Sequence, residues 1–182
     1  CPLSVFASSG PASCPGWLYQ LSTPHSALNS LPLDVHSKPS ISIIGAGNVG
    51  HHLALALNGA GYTIRHIISR THGRAEETAG LTGAVATGLP LPVSEHPELF
   101  LLCVGDDQIG SVAEQLRGTA AAVVHTSGST PLKNLSAFGG NAGVFYPVQT
   151  FTRHLSMDYS KIPFLLEAND KKVFEMLHGI GH

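Results

Sequence analysis

The sequence has few charged residues and no long apolar run. Charged residues make up 12% of its 182 positions, against about 25% in a typical soluble domain. The 10 basic and 12 acidic residues give a net charge of −2, so the chain has no surplus of positive charge with which to bind the phosphates of a nucleic acid. No stretch of about 18 apolar residues occurs, which excludes a transmembrane helix from the sequence.

Cysteine is also scarce. Cys1, Cys14 and Cys103 are too few for a disulfide framework, and no Cys-x-x-Cys spacing indicates zinc. The 11 histidines show neither the His-x-His nor the His-Glu-x-x-His spacing of metal ligands. We therefore expect no metal, and we predict the reducing environment of the cytoplasm.

Residues 1–40 differ in composition from the rest of the chain. They contain six of the 12 prolines and only two formally charged residues, Asp34 and Lys38. The segment has neither the apolar run of a signal peptide nor the arginines of a mitochondrial transit peptide. We predict a disordered or non-native leader over 1–40. The alternative is a short arm that packs on the domain.

From residue 41 onwards, apolar runs of strand length alternate with helical patterns. The sequence predicts strands at 41–44, 62–69, 84–87, 99–104, 120–125, 143–146 and 163–167, helices at 48–60, 74–79, 107–116 and 171–177, and a helix or turn at 131–138. This alternation predicts an α/β fold with a doubly wound, mostly parallel sheet, the Rossmann fold. Such a sheet binds its ligand at the carboxyl ends of the strands.

A Gly-Ala-Gly-Asn-Val-Gly run follows the first of these strands and opens the first helix. In that position the first glycine permits a tight turn, the second lets a pyrophosphate approach the backbone, and the third allows close packing of helix on strand. The helix N-terminus adds free N–H groups for the phosphates. We therefore predict that Gly45, Gly47, Asn48, Val49 and Gly50 bind a dinucleotide, the alternative being a glycine-rich turn without a ligand.

The end of the second strand distinguishes the two nicotinamide dinucleotides. An NAD site usually has an acidic residue there, about 20 residues after the glycines, whereas an arginine accommodates a 2′-phosphate. This sequence has Ser69 and Arg70 with Arg74 behind them, and these residue types can bind a phosphate and stack on adenine. We predict NADP rather than NAD. The alternative for Arg70 is an exposed surface arginine. The missing acid also argues against a malate or lactate dehydrogenase, a methyltransferase and a flavoprotein.

Polar residues follow the later strands as well. After the fourth strand we predict cofactor contacts from Val104, Gly105 and Asp106, and Asp106 or Asp107 is expected to cap the next helix. After the fifth strand, Thr126 is predicted to contact the cofactor near the nicotinamide.

Four residues after the fifth and sixth strands are candidates for catalysis or substrate binding: His125, Ser127, Tyr146 and Gln149. The alternative for His125 is a buried, hydrogen-bonded structural histidine, and the alternative for Tyr146 and Gln149 is packing at a strand end. Ser127 lacks the Gly-x-Ser-x-Gly elbow of a hydrolase.

The glycine loop, Ser69-Arg70 and the segments 101–109, 124–129 and 143–151 together resemble a known family. These are the Rossmann-like NADP oxidoreductases with a C-terminal helical domain of unknown function, which are similar to pyrroline-5-carboxylate reductase, ketopantoate reductase and the 6-phosphogluconate dehydrogenase superfamily. The resemblance covers about residues 41–178. It implies an NADP-binding domain over 41–168, the start of a linker helix over 169–182, a helical domain that the chain does not reach, and a homodimer in the full-length protein.

These observations predict an NADP-dependent oxidoreductase that transfers a hydride to or from a small-molecule substrate. The competing prediction is a non-catalytic NADP-binding or sensing module, because no residue is fixed by the sequence as the acid or base at the nicotinamide.

Overall fold

The structure is a computed structural model, and it describes residues 19–20, 38–92 and 95–181. The strands are β1 (Tyr19–Gln20), β2 (Ile41–Ile44), β3 (Ile64–Ile68), β4 (Val85–Thr87), β5 (Leu99–Leu102), β6 (Ala122–His125), β7 (Ala142–Pro147) and β8 (Phe164–Ala168). The helices are α1 (Asn48–Gly59), α2 (His72–Thr82), α3 (Asp106–Glu114) and α4 (Lys171–Ile180). Shorter 3₁₀ segments span Leu132–Asn141 and Tyr159–Lys161.

The strands form one sheet in the order β1-β8-β7-β6-β5-β2-β3-β4. The six strands from β4 to β7 in this order are parallel, and β8 is antiparallel to β7. After β2 the chain builds outwards through β3 and β4, and it then returns to the other side of β2 with β5. The strand order therefore reverses between β2 and β5, which is the switch point of the Rossmann fold. This confirms the predicted fold class.

The central strands are apolar because both faces of the sheet are covered. All four residues of β2 and of β5 are buried, as expected for parallel strands between two helical layers. Ile41 and Ile43 pack on one face with residues of α1, α2 and α4, whereas Ile44 packs on the other face with residues of α3. This alternation of neighbouring side chains holds the sheet between two apolar layers. None of the helices in the described ranges is both long and apolar enough to cross a membrane.

The start of α3 differs from the prediction. Its N-cap is Gly105, which has no side chain to cap the helix, and Asp106 and Asp107 both lie in the first turn. The expectation that one of these aspartates caps the helix is therefore wrong. The carboxylate of Asp106 accepts a hydrogen bond from the Ser129 hydroxyl, and an acidic residue in a first turn is still favoured by the helix dipole.

The contacts of the domain begin before residue 41. Within the predicted leader, β1 pairs with β8 in antiparallel register. The ammonium of Lys38 lies 4.8 Å from the centre of the Tyr62 ring. The other residues of the predicted leader, 1–18 and 21–37, lie outside the described residues.

Candidate functional site

An open cavity of about 450 Å³ lies at the carboxyl edge of the sheet, at the switch point between β2 and β5. Its walls come from the loop after β2, the turn after β3 and the start of α3. Seven of the residues predicted from the sequence line it: Gly45, Gly47, Ser69, Arg70, Arg74, Val104 and Gly105. Segments far apart in the sequence thus meet where a doubly wound sheet binds its ligand.

The three glycines of the loop have different surroundings. Gly45 has a φ of +110°, and a Cβ there would lie 2.3 Å from the Cys103 carbonyl oxygen. A Cβ on Gly50 would lie 1.9 Å from the Gly45 carbonyl oxygen, whereas one on Gly47 would meet nothing within 4 Å. Gly45 and Gly50 therefore allow the loop, the helix and β5 to pack closely, and Gly47 leaves open space into which a ligand can approach the backbone.

Helix α1 begins without a side-chain cap. Its N-cap is Gly47, and its first turn has no acidic residue, so no side-chain acceptor occupies the first N–H groups of the helix. Asn48 uses its amide to donate a 3.0 Å hydrogen bond to the carbonyl of Phe151. Val49 packs against the core. Asn48, Val49 and Gly50 do not line the cavity, so a contact with an anion has to come from their backbone N–H groups.

The turn after β3 supplies positive charge. Ser69 accepts a 3.1 Å hydrogen bond from the N–H of Thr71 through its hydroxyl. Arg70 is exposed, and its Nη2 donates a 3.0 Å hydrogen bond to Oε1 of Gln108 on α3. Arg70 and Arg74 are the charged residues of the cavity lining, which contains no acidic residue. The lining therefore favours an anionic ligand.

Ten residues of the cavity lining were not predicted from the sequence, and Gln108 and Cys103 are two of them. Gln108 lies in the first turn of α3, and no sequence pattern separates it from an ordinary exposed helix residue. Cys103 directly follows β5, a position that does point to the carboxyl edge. Burial raises the pKa of the Cys103 thiol to about 12, so this side chain is a neutral, apolar part of the wall.

The residues after β6 form a separate polar cluster. His125 is fully buried, and its Nδ1 accepts a 3.3 Å hydrogen bond from the N–H of Ser127. Its Nε2 is buried and has no partner among the residues that the structure describes. Burial lowers the pKa of His125, and the nearby Asp106 carboxylate opposes this only in part. The imidazole is therefore neutral at pH 7.

The serine and threonine beside His125 are bonded within the protein. The Ser127 hydroxyl accepts from the N–H groups of Ser129 and Thr130, at 3.2 and 2.9 Å, and donates to the Thr130 hydroxyl at 3.0 Å. The Thr126 hydroxyl donates to the Leu102 carbonyl at 3.2 Å. The hydrogen bond from the Ser129 hydroxyl lowers the pKa of Asp106, so this carboxylate is ionised. The cluster holds the turn after β6 against α3.

The remaining two candidates lie on β7 and after it. The Tyr146 ring covers Gly128 so closely that a Cβ there would lie 2.7 Å from ring atoms. Gln149 is exposed and accepts a 2.9 Å hydrogen bond from the N–H of Thr150. Tyr146 thus packs on the turn after β6, whereas Gln149 supports its own turn. Across the described ranges, no group of three or more His, Cys, Asp or Glu side chains is placed to hold a metal ion.

Comparison with known proteins agrees with this geometry. Residues 40–127 match the model of a family described as NADP oxidoreductase, coenzyme F420-dependent. A Bacteroides fragilis protein, provisionally named an NADP oxidoreductase, is 31% identical and has a TM-score of 0.67, over 79% of this chain and 57% of its own. Among curated proteins, none matches the chain significantly.

More distant structures share the fold alone. A Thermotoga maritima protein is 24% identical with a TM-score of 0.62, over 78% of this chain and 52% of its own. The prephenate dehydrogenase of A. aeolicus, solved with hydroxyphenyl propionate and NAD+, is 16% identical with a TM-score of 0.61, over 81% of this chain and 58% of its own. The chain spans slightly more than half the length of these three proteins. The chain therefore has a Rossmann-like fold, and over residues 40–127 it is similar to the NADP oxidoreductases that this family model describes.

Proposed function

We propose that the chain binds NADP(H) in the switch-point cavity and forms the cofactor domain of an oxidoreductase that acts on a small molecule. The observation that carries this proposal is the charge of the cavity lining, in which Arg70 and Arg74 are unopposed by any acidic residue. A 2′-phosphate adds two negative charges that this wall attracts, whereas the ribose hydroxyls of NAD are usually held by a carboxylate that is absent here. The charge of the wall therefore favours NADP over NAD.

Each part of the cavity has a distinct role in this proposal. Gly45 and Gly47 shape the loop, and the N–H groups at the start of α1 bind the pyrophosphate. Ser69, Arg70 and Arg74 hold the 2′-phosphate. The end of the dinucleotide away from the 2′-phosphate is contacted by two pairs of residues. Val104 and Gly105 lie at the cavity wall, and Asp106 and Thr126 lie next to it.

When bound, NADPH supplies the hydride, and the chain has to orient the nicotinamide and exclude water from it. His125 and Tyr146 stay our candidates for contact with a substrate, together with Ser127 and Gln149. His125 is neutral, and its buried Nε2 has no partner among the described residues. This nitrogen could donate a hydrogen bond to a substrate oxygen only if the turn after β6 moves to expose it. Ser127 orients the turn that carries this histidine.

The experiment that tests nucleotide choice is a titration of the 182-residue chain with NADPH and NADH, followed by nicotinamide fluorescence. Wild type is expected to bind NADPH more tightly. Because charge-assisted hydrogen bonds are worth about 1.5–3 kcal/mol, Arg70→Ala should weaken NADPH by roughly tenfold to hundredfold and leave NADH within about threefold. Arg117→Ala is the matched control, since Arg117 is an exposed arginine that pairs with Glu114 outside the cavity. Equal losses for both nucleotides would remove the assignment to NADP.

A second function, an NADP-binding or sensing module without turnover, is supported by the burial of His125 and the internal bonding of Ser127. The two functions separate in an assay of NADPH oxidation with a panel of imines and 2-oxo acids. Turnover with any of them supports the enzyme, and tight NADPH binding without turnover supports the module. On the strength of the family resemblance, we extend the proposal to a cytoplasmic protein that forms a homodimer.

A further inference from the structure

The connection between β7 and β8, residues 148–163, crosses the start of α1, and we call it the strap. Asn48 donates a 3.0 Å hydrogen bond to the strap carbonyl of Phe151. Nε2 of His52 lies 2.9 Å from the carbonyl oxygen of Thr152. The strap is thus fixed to the first two turns of the helix that follows the glycine loop.

Arg153 extends from the strap into the space between the glycine loop and α2. Its Nη1 donates a 2.9 Å hydrogen bond to the carbonyl of Ala46, the residue between the first two glycines of the loop. Its Nη2 is shared by three oxygen atoms of α2: the Glu77 carboxylate at 2.8 Å, the Thr78 hydroxyl at 3.1 Å and the Arg74 carbonyl at 3.3 Å. One guanidinium therefore connects the glycine loop to α2, and these two segments form walls of the cavity.

Stability alone is a poor explanation for this arginine. Its side chain is only 9% exposed, and its Nε is buried with no partner within the described ranges. Removing an arginine from water is costly, and a buried ion pair often gives no more stability than an apolar contact of similar size. The hydrogen bond from Arg153 lowers the pKa of Glu77, yet half of the Glu77 side chain remains in water. The ion pair with Glu77 therefore offsets only a small part of the cost of removing Arg153 from water.

We propose that Arg153 is a positioning residue for the dinucleotide, which fixes the distance between the glycine loop and the start of α2. The inference rests on the proposed function, because the loop would hold the pyrophosphate and the start of α2, with Arg74, would hold the 2′-phosphate. A planar guanidinium can serve both walls at once, whereas a lysine ammonium is a single point of charge.

This role makes a specific distinction between ligands. NADPH spans both subsites, so it loses affinity when the walls move independently. Adenosine 2′-monophosphate lacks the pyrophosphate and needs the α2 subsite only. Loss of Arg153 should therefore weaken NADPH far more than the short ligand, whereas simple unfolding of the site would weaken both.

The test uses the 182-residue chain with Arg153→Met, Arg153→Lys and Glu77→Gln, and Arg117→Met as the control for loss of an exposed arginine. The dissociation constant of NADPH is measured by nicotinamide fluorescence well below each melting temperature, and that of adenosine 2′-monophosphate by displacement of NADPH. Arg153→Met should weaken NADPH by roughly tenfold to hundredfold, the value of a charged hydrogen bond. The same variant should leave the dissociation constant of adenosine 2′-monophosphate within about threefold of wild type. Arg153→Lys should give an intermediate loss of NADPH affinity, and Glu77→Gln and Arg117→Met should stay within about threefold of wild type.

The results distinguish this inference from the proposed function. If wild type binds neither NADPH nor NADH, the proposed function fails and this inference fails with it. If wild type binds NADPH and Arg153→Met binds it equally well, or loses both ligands to the same extent, the positioning role is wrong and the proposed function stands. Should Arg153→Met not fold, Arg153→Lys decides the question by the same ratio of the two ligands.

Discussion

The two ends of the candidate site are built in opposite ways. At the phosphate end, the N-cap of α1 is a glycine, so no side chain caps the helix. Arg70 and Arg74 line the cavity there, and its lining contains no acidic residue. At the far end, the hydroxyls of Thr126 and Ser127 and the Nδ1 of His125 already have partners within the protein. A binding site needs donors that the protein leaves for a ligand, and the phosphate end has them. The far end is bonded mainly to itself, and within the described residues the Nε2 of His125 has no partner.

The largest effect is expected from Gly45→Ala at the phosphate end, and Gly47→Ala in the same loop is the comparison. Gly45→Ala places a Cβ at a φ of +110° and 2.3 Å from the Cys103 carbonyl oxygen. Strain and overpacking together should lower the free energy of unfolding by about 3 kcal/mol and abolish NADPH binding. Gly47→Ala meets nothing within 4 Å, so it should leave the free energy of unfolding within about 1 kcal/mol, the helix-terminus cost of replacing an N-cap glycine, and still weaken NADPH.

Thermal melting and fluorescence titration of both variants check this prediction. A Gly45→Ala chain that melts like wild type would contradict the close approach of the loop to β5. A Gly47→Ala chain that binds NADPH normally would contradict the approach of a phosphate to this part of the loop.

Acid should destabilise the fold mainly through its buried histidines, one of which, His125, lies at the far end of the site. Burial lowers the pKa values of His51, His66 and His125 below the usual 6.5. As the pH falls below about 6.5, the unfolded chain takes up protons on these groups before the folded chain does, so acid favours unfolding. Their contribution to stability is complete above pH 6.5 and is lost as the pH falls through the lowered pKa values. Each group adds a slope of up to about 1.4 kcal/mol per pH unit.

Urea unfolding at pH 7.5, 6.5 and 5.5 measures this dependence. His125→Gln should reduce the slope of stability against pH, because it removes one buried imidazole. His72→Gln is the control for loss of an exposed histidine, since its side chain is 69% exposed, and it should change the slope less than His125→Gln does. A slope of zero in the wild type would contradict the prediction, because it would mean that the three imidazoles take up protons at the same pH in the folded and the unfolded chain.

The phosphate end could be predicted from sequence because its signals are local. The glycine spacing and the pair Ser69-Arg70 lie within short segments whose neighbours define a strand and a helix, and the apolar runs of β2 and β5 reflect burial on both faces. The direction of β8 could not be predicted, because the same alternation fits a parallel or an antiparallel neighbour. Arg153 could not be predicted either, since its partner Ala46 is 107 residues away.

The smallest effect concerns Gln108, whose Oε1 holds the guanidinium of Arg70 beside the cavity. Gln108→Ala removes an exposed hydrogen bond, which is worth about 0.5 kcal/mol, the lower end of the usual range. If Arg70 leaves Gln108 when it binds the 2′-phosphate, the variant should tighten NADPH by up to about threefold and leave NADH unchanged. Ser111→Ala on the same helix is the control, since its hydroxyl donates a hydrogen bond to the Gln108 carbonyl and its side chain does not line the cavity. Weaker NADPH binding in Gln108→Ala would instead show that Gln108 aims the arginine at the phosphate, so that the phosphate end, like the far end, relies on bonds made within the protein.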